Sequence, residues 1–392
     1  MRVLLVTDWP EAGGGVETYV TLVARGLREA GDEVRLLTSS VGGGAAVADY
    51  VAFGSRHPVL QSVLQIANPA AARAIRRALA AFEPDVVQVS MFEMHLSPSV
   101  LAALRGVPTV LSIAYYKPFC PNGLKLLPDD SRCTVRQGAV CWRGGCTPLM
   151  HWLRDRPRYA RIGRGIRGAA AVVACSRWLQ RELRDAGIEA AWSAWPIEPP
   201  SAGFRRAPAP EPLFVFTGRL AREKGVATLL RALAGARGQG AARARLRVVG
   251  DGPLRPALEC LTVELGLSGA VEFTGWLPRH RIEAQLADAW ALVAPSLWAE
   301  PLGLTALEAV VRGLPVIASA TGGLAETVEP GVSGLLFPNG DADALAACLV
   351  EIASGRTLAG GVPGDTAERL KAQHDLGRHV AWLRALFAEV AA

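Results

Sequence analysis

Short apolar runs that end in loops, each followed by a stretch with helical spacing, recur along the whole chain. That alternation leaves few folds open. Residues 3–7, 34–37, 86–89, 109–113 and 170–175 read as strands in the first half, and 213–217, 246–249, 271–274, 290–295 and 316–318 in the second. Between them, 18–30, 70–82, 98–104 and 177–186, and later 344–352, carry helical spacing. Runs so uniformly apolar suit parallel strands covered on both faces. The expected fold class is therefore α/β, with Rossmann-like, doubly wound parallel sheets. At 392 residues the chain is too long for one ordinary core, so two domains of roughly 150 to 200 residues are expected. The proline-rich stretch 195–212 supplies the boundary. The expected organisation is a first domain over 1–195, a linker over 196–212, a second domain over 213–376 and a terminal helix within 377–392.

Composition narrows the class. Half the residues are apolar and 20% are charged, the balance of a soluble globular protein. No stretch approaches about 20 uninterrupted apolar residues, so no membrane-spanning helix is expected. The apolar opening is cut by Asp8, too early for a signal peptide, and reads as a first strand, so a cytoplasmic location is expected. The net charge of +6 comes with interspersed acids, which favours anionic small molecules or lipid surfaces and not nucleic acid.

Four loops carry candidate chemistry. In the run 295–309, Pro-Ser-Leu-Trp-Ala-Glu-Pro-Leu-Gly-Leu-Thr-Ala-Leu-Glu-Ala, Glu300 stands just past a strand and Glu308 lies inside the next helix. The amides of Leu302, Gly303 and Leu304, with Thr305 opening the helix, fall where free N–H groups favour an anion. Two carboxylates beside an anion site suit hydroxyls flanking a phosphate, which describes a nucleotide sugar. The alternative is a pair of solvated acids. Arg219 and Lys224 share one loop after strand 213–217, close enough to reach one diphosphate, Arg as a fork and Lys as a point charge; a solvated charge run is the alternative. Gly250-Asp251-Gly252-Pro253 is a tight turn at a strand end. After the first strand, Gly14 and Gly15 belong to a glycine triplet that lets backbone approach a diphosphate, although it lacks the dinucleotide spacing. The triplet 42–44 reads as a plain loop.

These motifs together resemble family 4 of the glycosyltransferases, retaining enzymes with the two-domain GT-B fold. The resemblance covers nearly the whole chain and is strongest in the second half. It implies two Rossmann-like domains facing across a cleft, with the terminal helix crossing back to the first. It puts the acceptor in the first domain and a nucleotide-diphosphate sugar, of UDP or GDP type, in the second. It assigns Glu300 to donor-sugar hydroxyls, Glu308 to the ribose, and Arg219 and Lys224 to the diphosphate. Gly14, Gly15, Gly250 and Asp251 match family loops, and Trp276 and Leu277 are placed near the base. The expected activity is metal-independent, retaining transfer to a small-molecule acceptor in bacterial specialised, antibiotic-type metabolism. The alternatives are a cell-envelope glycan or glycolipid transferase and a non-catalytic nucleotide-sugar-binding protein. No cofactor is required, and monomer and homodimer both stay open.

The first half departs from the family. Where members carry a histidine and an acid after strand 109–113, this chain reads Ala114-Tyr115; Gln88 and Ser90 stand where others have histidine, and His95 is out of register. No general base is named. Either His95, Glu93 or a water replaces the contact, or the acceptor is an easier nucleophile such as a thiol or acidic hydroxyl.

Two further segments have uncertain roles. Cys120, Cys133, Cys141 and Cys146 lie within 114–147, where four thiols could hold structural zinc, yet no pair has the usual two-residue spacing and packed free thiols are favoured. The stretch 149–168 carries six arginines among apolar residues, a pattern compatible with weak membrane-surface contact. Pro157 and two glycines weaken any long helix there, and docking on the sheet is favoured. Asp341 and Asp343 read as a helix cap in preference to a metal site.

Overall fold

The computed structural model describes residues 1–9, 14–41, 47–355 and 357–392. The glycine run 42–44 lies outside them. The chain divides into two compact units: Met1–Pro128, Thr134–Ile197 and His374–Ala392 form the first, and Asp129–Cys133 with Glu198–Gln373 form the second.

The first unit contains β1 (Arg2–Val6), α1 (Gly15–Glu29), β2 (Glu33–Ser39), β3 (Tyr50–Ala52), α2 (Pro58–Leu64), α3 (Pro69–Phe82), β4 (Val86–Val89), α4 (Ser99–Ala103), β5 (Thr109–Ile113), α5 (Val140–Arg143), α6 (Leu149–Arg167), β6 (Ala171–Ala174), α7 (Arg177–Asp185) and β7 (Ala191–Trp192). Its seven strands are ordered β3-β2-β1-β4-β5-β6-β7, all pairs parallel. The second unit contains β8 (Leu213–Thr217), α8 (Val226–Gly238), β9 (Arg245–Val249), α9 (Arg255–Glu264), β10 (Val271–Gly275), α10 (Arg279–Leu286), β11 (Ala291–Ala294), α11 (Leu304–Val310), β12 (Val316–Ser319), α12 (Leu324–Thr327), β13 (Gly334–Phe337), α13 (Ala342–Ala353) and α14 (Gly364–Gln373). Its six strands are ordered β10-β9-β8-β11-β12-β13, again parallel. The last helix, α15 (Leu376–Ala391), belongs to the first unit.

Both sheets follow the doubly wound rule that the sequence leads one to expect. Every residue of β4, β5, β8, β11 and β12 is buried, as strands covered on both faces must be. Chain order reverses direction between β1 and β4 in one sheet and between β8 and β11 in the other. At such a switch point the loops leaving the strands' carboxyl ends diverge and open a crevice.

Three strands, β3, β7 and β13, are absent from the sequence reading. The first two have only three and two residues and lie at sheet edges. The third starts at Gly334, where a Cβ would lie 1.9 Å from the Val316 carbonyl oxygen. The expected weakness of 149–168 is also corrected: α6 is one 19-residue helix running through Pro157. Tertiary contacts hold it. Ile162, Ile166 and Arg158 are buried, and the Arg161 guanidinium donates to the Ile66 carbonyl at 3.0 Å. Gly165, read as a weak point, is the place where Leu101 of α4 comes so close that a Cβ would meet its side chain at 2.5 Å.

α15 docks on α1. Leu383 and Phe387 are fully buried, and a Cβ on Gly26 would lie 2.7 Å from Val380. His379 sits between Ser193 Oγ at 2.9 Å and the Tyr19 hydroxyl at 3.1 Å, and Trp195 stacks on Tyr19 with centroids 3.8 Å apart. Among the described residues no helix is long and apolar enough to cross a membrane.

Candidate functional site

The second unit gathers charged groups at its switch point. β8 ends at Thr217, and the following loop tightens into a 3₁₀ turn over Arg222–Lys224 before α8. β11 ends at Ala294, and its loop runs through Ser296 and Glu300 to the seven-residue α11. Lys224 and Glu300 thus come from the two loops that diverge there, and their Nζ and Oε1 are 2.7 Å apart. Ser296 Oγ donates to the same carboxylate oxygen at 2.6 Å, and Nζ lies 5.5 Å over the Trp298 ring. Burial pushes the Glu300 pKa up. Attraction to Lys224 and hydrogen bonds from Lys224, Ser296 and Trp298 outweigh it and hold the carboxyl below its ordinary value.

Backbone packing sets this geometry. Gly225 has φ 67° and sits so close to the next strand's loop that a Cβ would lie 1.9 Å from the Pro295 carbonyl oxygen. The Glu223 carbonyl accepts from the Leu297 amide at 2.9 Å, locking the two loops together. On the other side, Gly322 has φ 63° and a Cβ there would be 2.4 Å from the Glu300 carbonyl oxygen, which also accepts from the Gly323 amide at 2.6 Å. Glu300 is therefore clamped between neighbours that only glycine permits.

The other predicted residues surround this pair unevenly. Gly303 (φ 78°) caps α11, and the helix's first amides, at Leu304 and Thr305, have no acceptor one turn back. Leu302 packs against Gly323. Glu308, one turn into α11, pairs with Arg279, whose Nε donates to Glu198 at 2.7 Å. Arg279 was missed by sequence reasoning, because nothing in the pattern Leu-Pro-Arg-His after β10 separates it from a solvated charge. Arg219 is largely exposed and engages Glu223. Gly250 and Asp251 interlock with the β8 loop: the Asp251 carbonyl accepts from the Leu220 amide at 2.9 Å, and the Asp251 carboxylate pairs with Arg255. Trp276, 64% exposed, and Leu277 follow β10 at the sheet's far edge. Gly14 and Gly15 open α1 in the first unit, with the Glu17 carboxylate against Gly14. A cavity of about 540 Å³ beside α8 is lined by Arg222, Thr228, Arg231 and Asn339, and no predicted site residue lines it.

The four cysteines of the 114–147 stretch do not come together as one cluster. Cys120 donates to Asn122 Oδ1 at 3.0 Å, and Cys133 belongs to the second unit while Cys120, Cys141 and Cys146 belong to the first. Among the described residues no group of three or more His, Cys, Asp or Glu could hold a metal ion. Asp341 caps α13, accepting from the Asp343 and Ala344 amides.

The first unit's switch point carries a second polar cluster. Asp8, just after β1, accepts the Met94, His95 and Leu96 amides at 2.7, 2.8 and 2.7 Å. That holds the loop after β4 in place. Glu93 in this loop is buried; its Oε2 accepts from the Tyr115 hydroxyl at 2.5 Å and from the Phe92 amide at 3.2 Å, while Oε1 has no partner among the described residues. Burial pushes the Glu93 carboxyl up to about 7. Arg158 donates to the Glu93 carbonyl at 2.8 Å.

Both halves of the chain match known protein families. Residues 203–380 match the family described as glycosyl transferases group 1, and residues 14–192 that described as glycosyl transferase 4-like domain. The putative colanic acid biosynthesis glycosyltransferase WcaL of Salmonella typhimurium is 34% identical over 151 residues, 37% of either chain. The 2-deoxystreptamine N-acetyl-D-glucosaminyltransferase of Streptomyces fradiae is 38% identical over 178 residues, 41% of either chain. The chain thus spans about two fifths of the length of these curated relatives. Among solved structures, sucrose-phosphate synthase from Thermosynechococcus elongatus superposes with a TM-score of 0.75 at 24% identity, covering 99% of this chain and 98% of its own. Anabaena HepE, solved in complex with UDP, gives 0.73 at 18% identity, covering 99% and 100%.

Proposed function

Since the chain belongs to the family 4 type of glycosyltransferases with the GT-B fold, we propose that it moves a sugar from a nucleotide-diphosphate sugar to a small-molecule acceptor. The observation that carries this reading is the Lys224–Glu300 pair at the switch point between β8 and β11. One buried carboxylate there can take sugar hydroxyls, and Lys224 has ammonium protons beyond the one given to Glu300. Arg219 adds an exposed fork from the same loop. Breaking the bond to the sugar builds negative charge on the leaving diphosphate, and fixed cations with the α11 amides lower that barrier by several kcal/mol. Glu308 takes the ribose, exchanging Arg279 for two hydroxyls, and Trp276 and Leu277 border the base.

In this reading no metal is required, because cations of the chain stand where a divalent ion would. The acceptor attacks from the side the diphosphate leaves, and configuration is retained. A nitrogen-bearing cyclitol acceptor is supported by the relative from Streptomyces fradiae and by the 2-deoxystreptamine glucosyltransferase of Streptomyces kanamyceticus, 39% identical over 135 residues. A cell-envelope glycan is the second reading, favoured by the colanic acid relative.

The test is mass spectrometry of UDP- and GDP-sugar panels incubated with 2-deoxystreptamine, with and without a chelator. A new glycoside formed equally in both conditions is expected. Retention of nucleotide with no transfer to any acceptor in cell extract contradicts it. Turnover lost on chelation and restored by magnesium contradicts the metal-free account.

A further inference from the structure

The two switch points are set oppositely. In the second unit the buried carboxylate, Glu300, has a cation of its own chain, Lys224, at 2.7 Å. In the first unit the corresponding carboxyl, Glu93, comes from the loop after β4, is 1% exposed, and among the described residues receives a phenol and a backbone amide, both on Oε2. Among the described residues its Oε1 is buried with no hydrogen-bond partner. A buried carboxylate oxygen without a partner is costly, and a cation that reaches it removes the cost.

The cations nearby give no hydrogen bond to Oε1, although the Arg158 charge offsets part of the burial effect on Glu93. Arg158 gives one guanidinium nitrogen to the Glu93 carbonyl oxygen and another to Gln65, and Lys117 gives its ammonium to the Pro121 carbonyl at 2.8 Å. Asp8 adds a second negative group from the end of β1, already matched by three amides, and its field raises Glu93 and Glu17 further. Tyr115, which reaches the cluster through its hydroxyl, and Ala114 beside it are half-buried and follow β5. This is the crevice position of a doubly wound sheet, where a ligand binds.

We propose that Glu93 Oε1, with Tyr115 holding the opposite oxygen, binds an ammonium group of the acceptor, so that this enzyme selects amino-bearing cyclic polyols over neutral ones. The proposal rests on the transferase reading and names its acceptor chemistry. Tyr115 stands after β5, and its hydroxyl fixes the carboxyl's orientation instead of contacting the acceptor. The ammonium requires the ionised carboxylate, and Glu93 sits near 7 when empty. Acceptor binding therefore weakens as pH falls through that value. The charged and titratable groups acting on Glu93 are Asp8 after β1, Tyr115 and Lys117 after β5, and Arg158 and Tyr159 on α6.

The test is calorimetry on the full chain, titrated with a diaminocyclitol and with inositol, each in the presence and absence of UDP. The parent is expected to bind the diaminocyclitol at least tenfold more tightly than inositol. Glu93→Gln is expected to lose that difference while UDP affinity stays within twofold. Tyr115→Phe keeps the carboxyl but removes a group that lowers its pKa, so the pH of half-maximal diaminocyclitol binding is expected to move up. Equal affinity of the parent for both cyclitols overturns the proposal, as does a Glu93→Gln protein that keeps the preference, or a Tyr115→Phe protein with the parent's pH profile. The cyclitol titrations without UDP decide this independently of the donor reading, which the UDP titration tests by itself.

Discussion

Lys224 and Glu300 contribute as a pair, and either one alone is a liability. Their side chains are only 23% and 15% exposed, so removing the ammonium leaves a carboxylate in a place where water reaches it poorly. Lys224→Met is expected to cost about 2 kcal/mol, between the values for exposed and fully buried pairs, since some solvent remains. Lys224→Met with Glu300→Gln should recover most of it, because the stranded charge is gone. Urea unfolding of both variants checks this, and equal destabilisation of single and double variants counts against the pairing. Both residues were legible in the sequence as candidates, Glu300 from its place before Pro301 and Lys224 from its loop. Their contact with each other was not, because 76 positions separate them and only the sheet order brings the loops together. Arg279 and the Glu93–Tyr115 contact were hidden for the same reason.

At the scale of elements, the loop after β8 depends on Gly225. Its φ of 67° and the 1.9 Å approach of the Pro295 carbonyl to a Cβ leave no room for a side chain. Gly225→Ala is expected to displace the 3₁₀ turn that carries Lys224 and to destabilise the second unit by roughly 3 kcal/mol or more. The same substitution at Gly238, with nothing within 4 Å, should be tolerated. Thermal unfolding of the two variants compares them directly, and a Gly225→Ala protein as stable as Gly238→Ala would contradict the close packing. The main strands and the alternation that makes both sheets parallel were readable because buried parallel strands are continuous apolar runs. The edge strands β3 and β7 were not, since two or three residues carry no period. The persistence of α6 through Pro157 was unreadable too: it rests on Ile66, Glu93 and Leu101, contacts that no local pattern reports.

At the scale of the whole molecule, acid stability reflects two buried groups of the first unit with opposite signs. Burial lowers His379 to about 4, so its neutral form favours the fold fully above its unfolded value near 6.5, and that contribution is lost as pH falls toward 4. Burial raises Glu93 to about 7, so its cost appears above its unfolded value of 4.5 and is complete above 7. Each costs about 3 kcal/mol at full effect, and between pH 4.5 and 6.5 their opposite pH dependences nearly cancel, so that their sum stays near constant. Across that window His379→Gln should become relatively more stable than the parent as pH falls, and Glu93→Gln relatively less stable. Unfolding midpoints of both variants that track the parent at every pH would contradict these environments. The claim on which the functional account stands is that the second unit binds a nucleoside diphosphate through Lys224 and Glu308. Calorimetric titration of UDP and GDP into the parent, Lys224→Ala and Glu308→Gln tests it most directly. The account predicts that the parent binds at least one of the two and that each variant loses at least tenfold in affinity while remaining folded; parent affinity in both folded variants would contradict it.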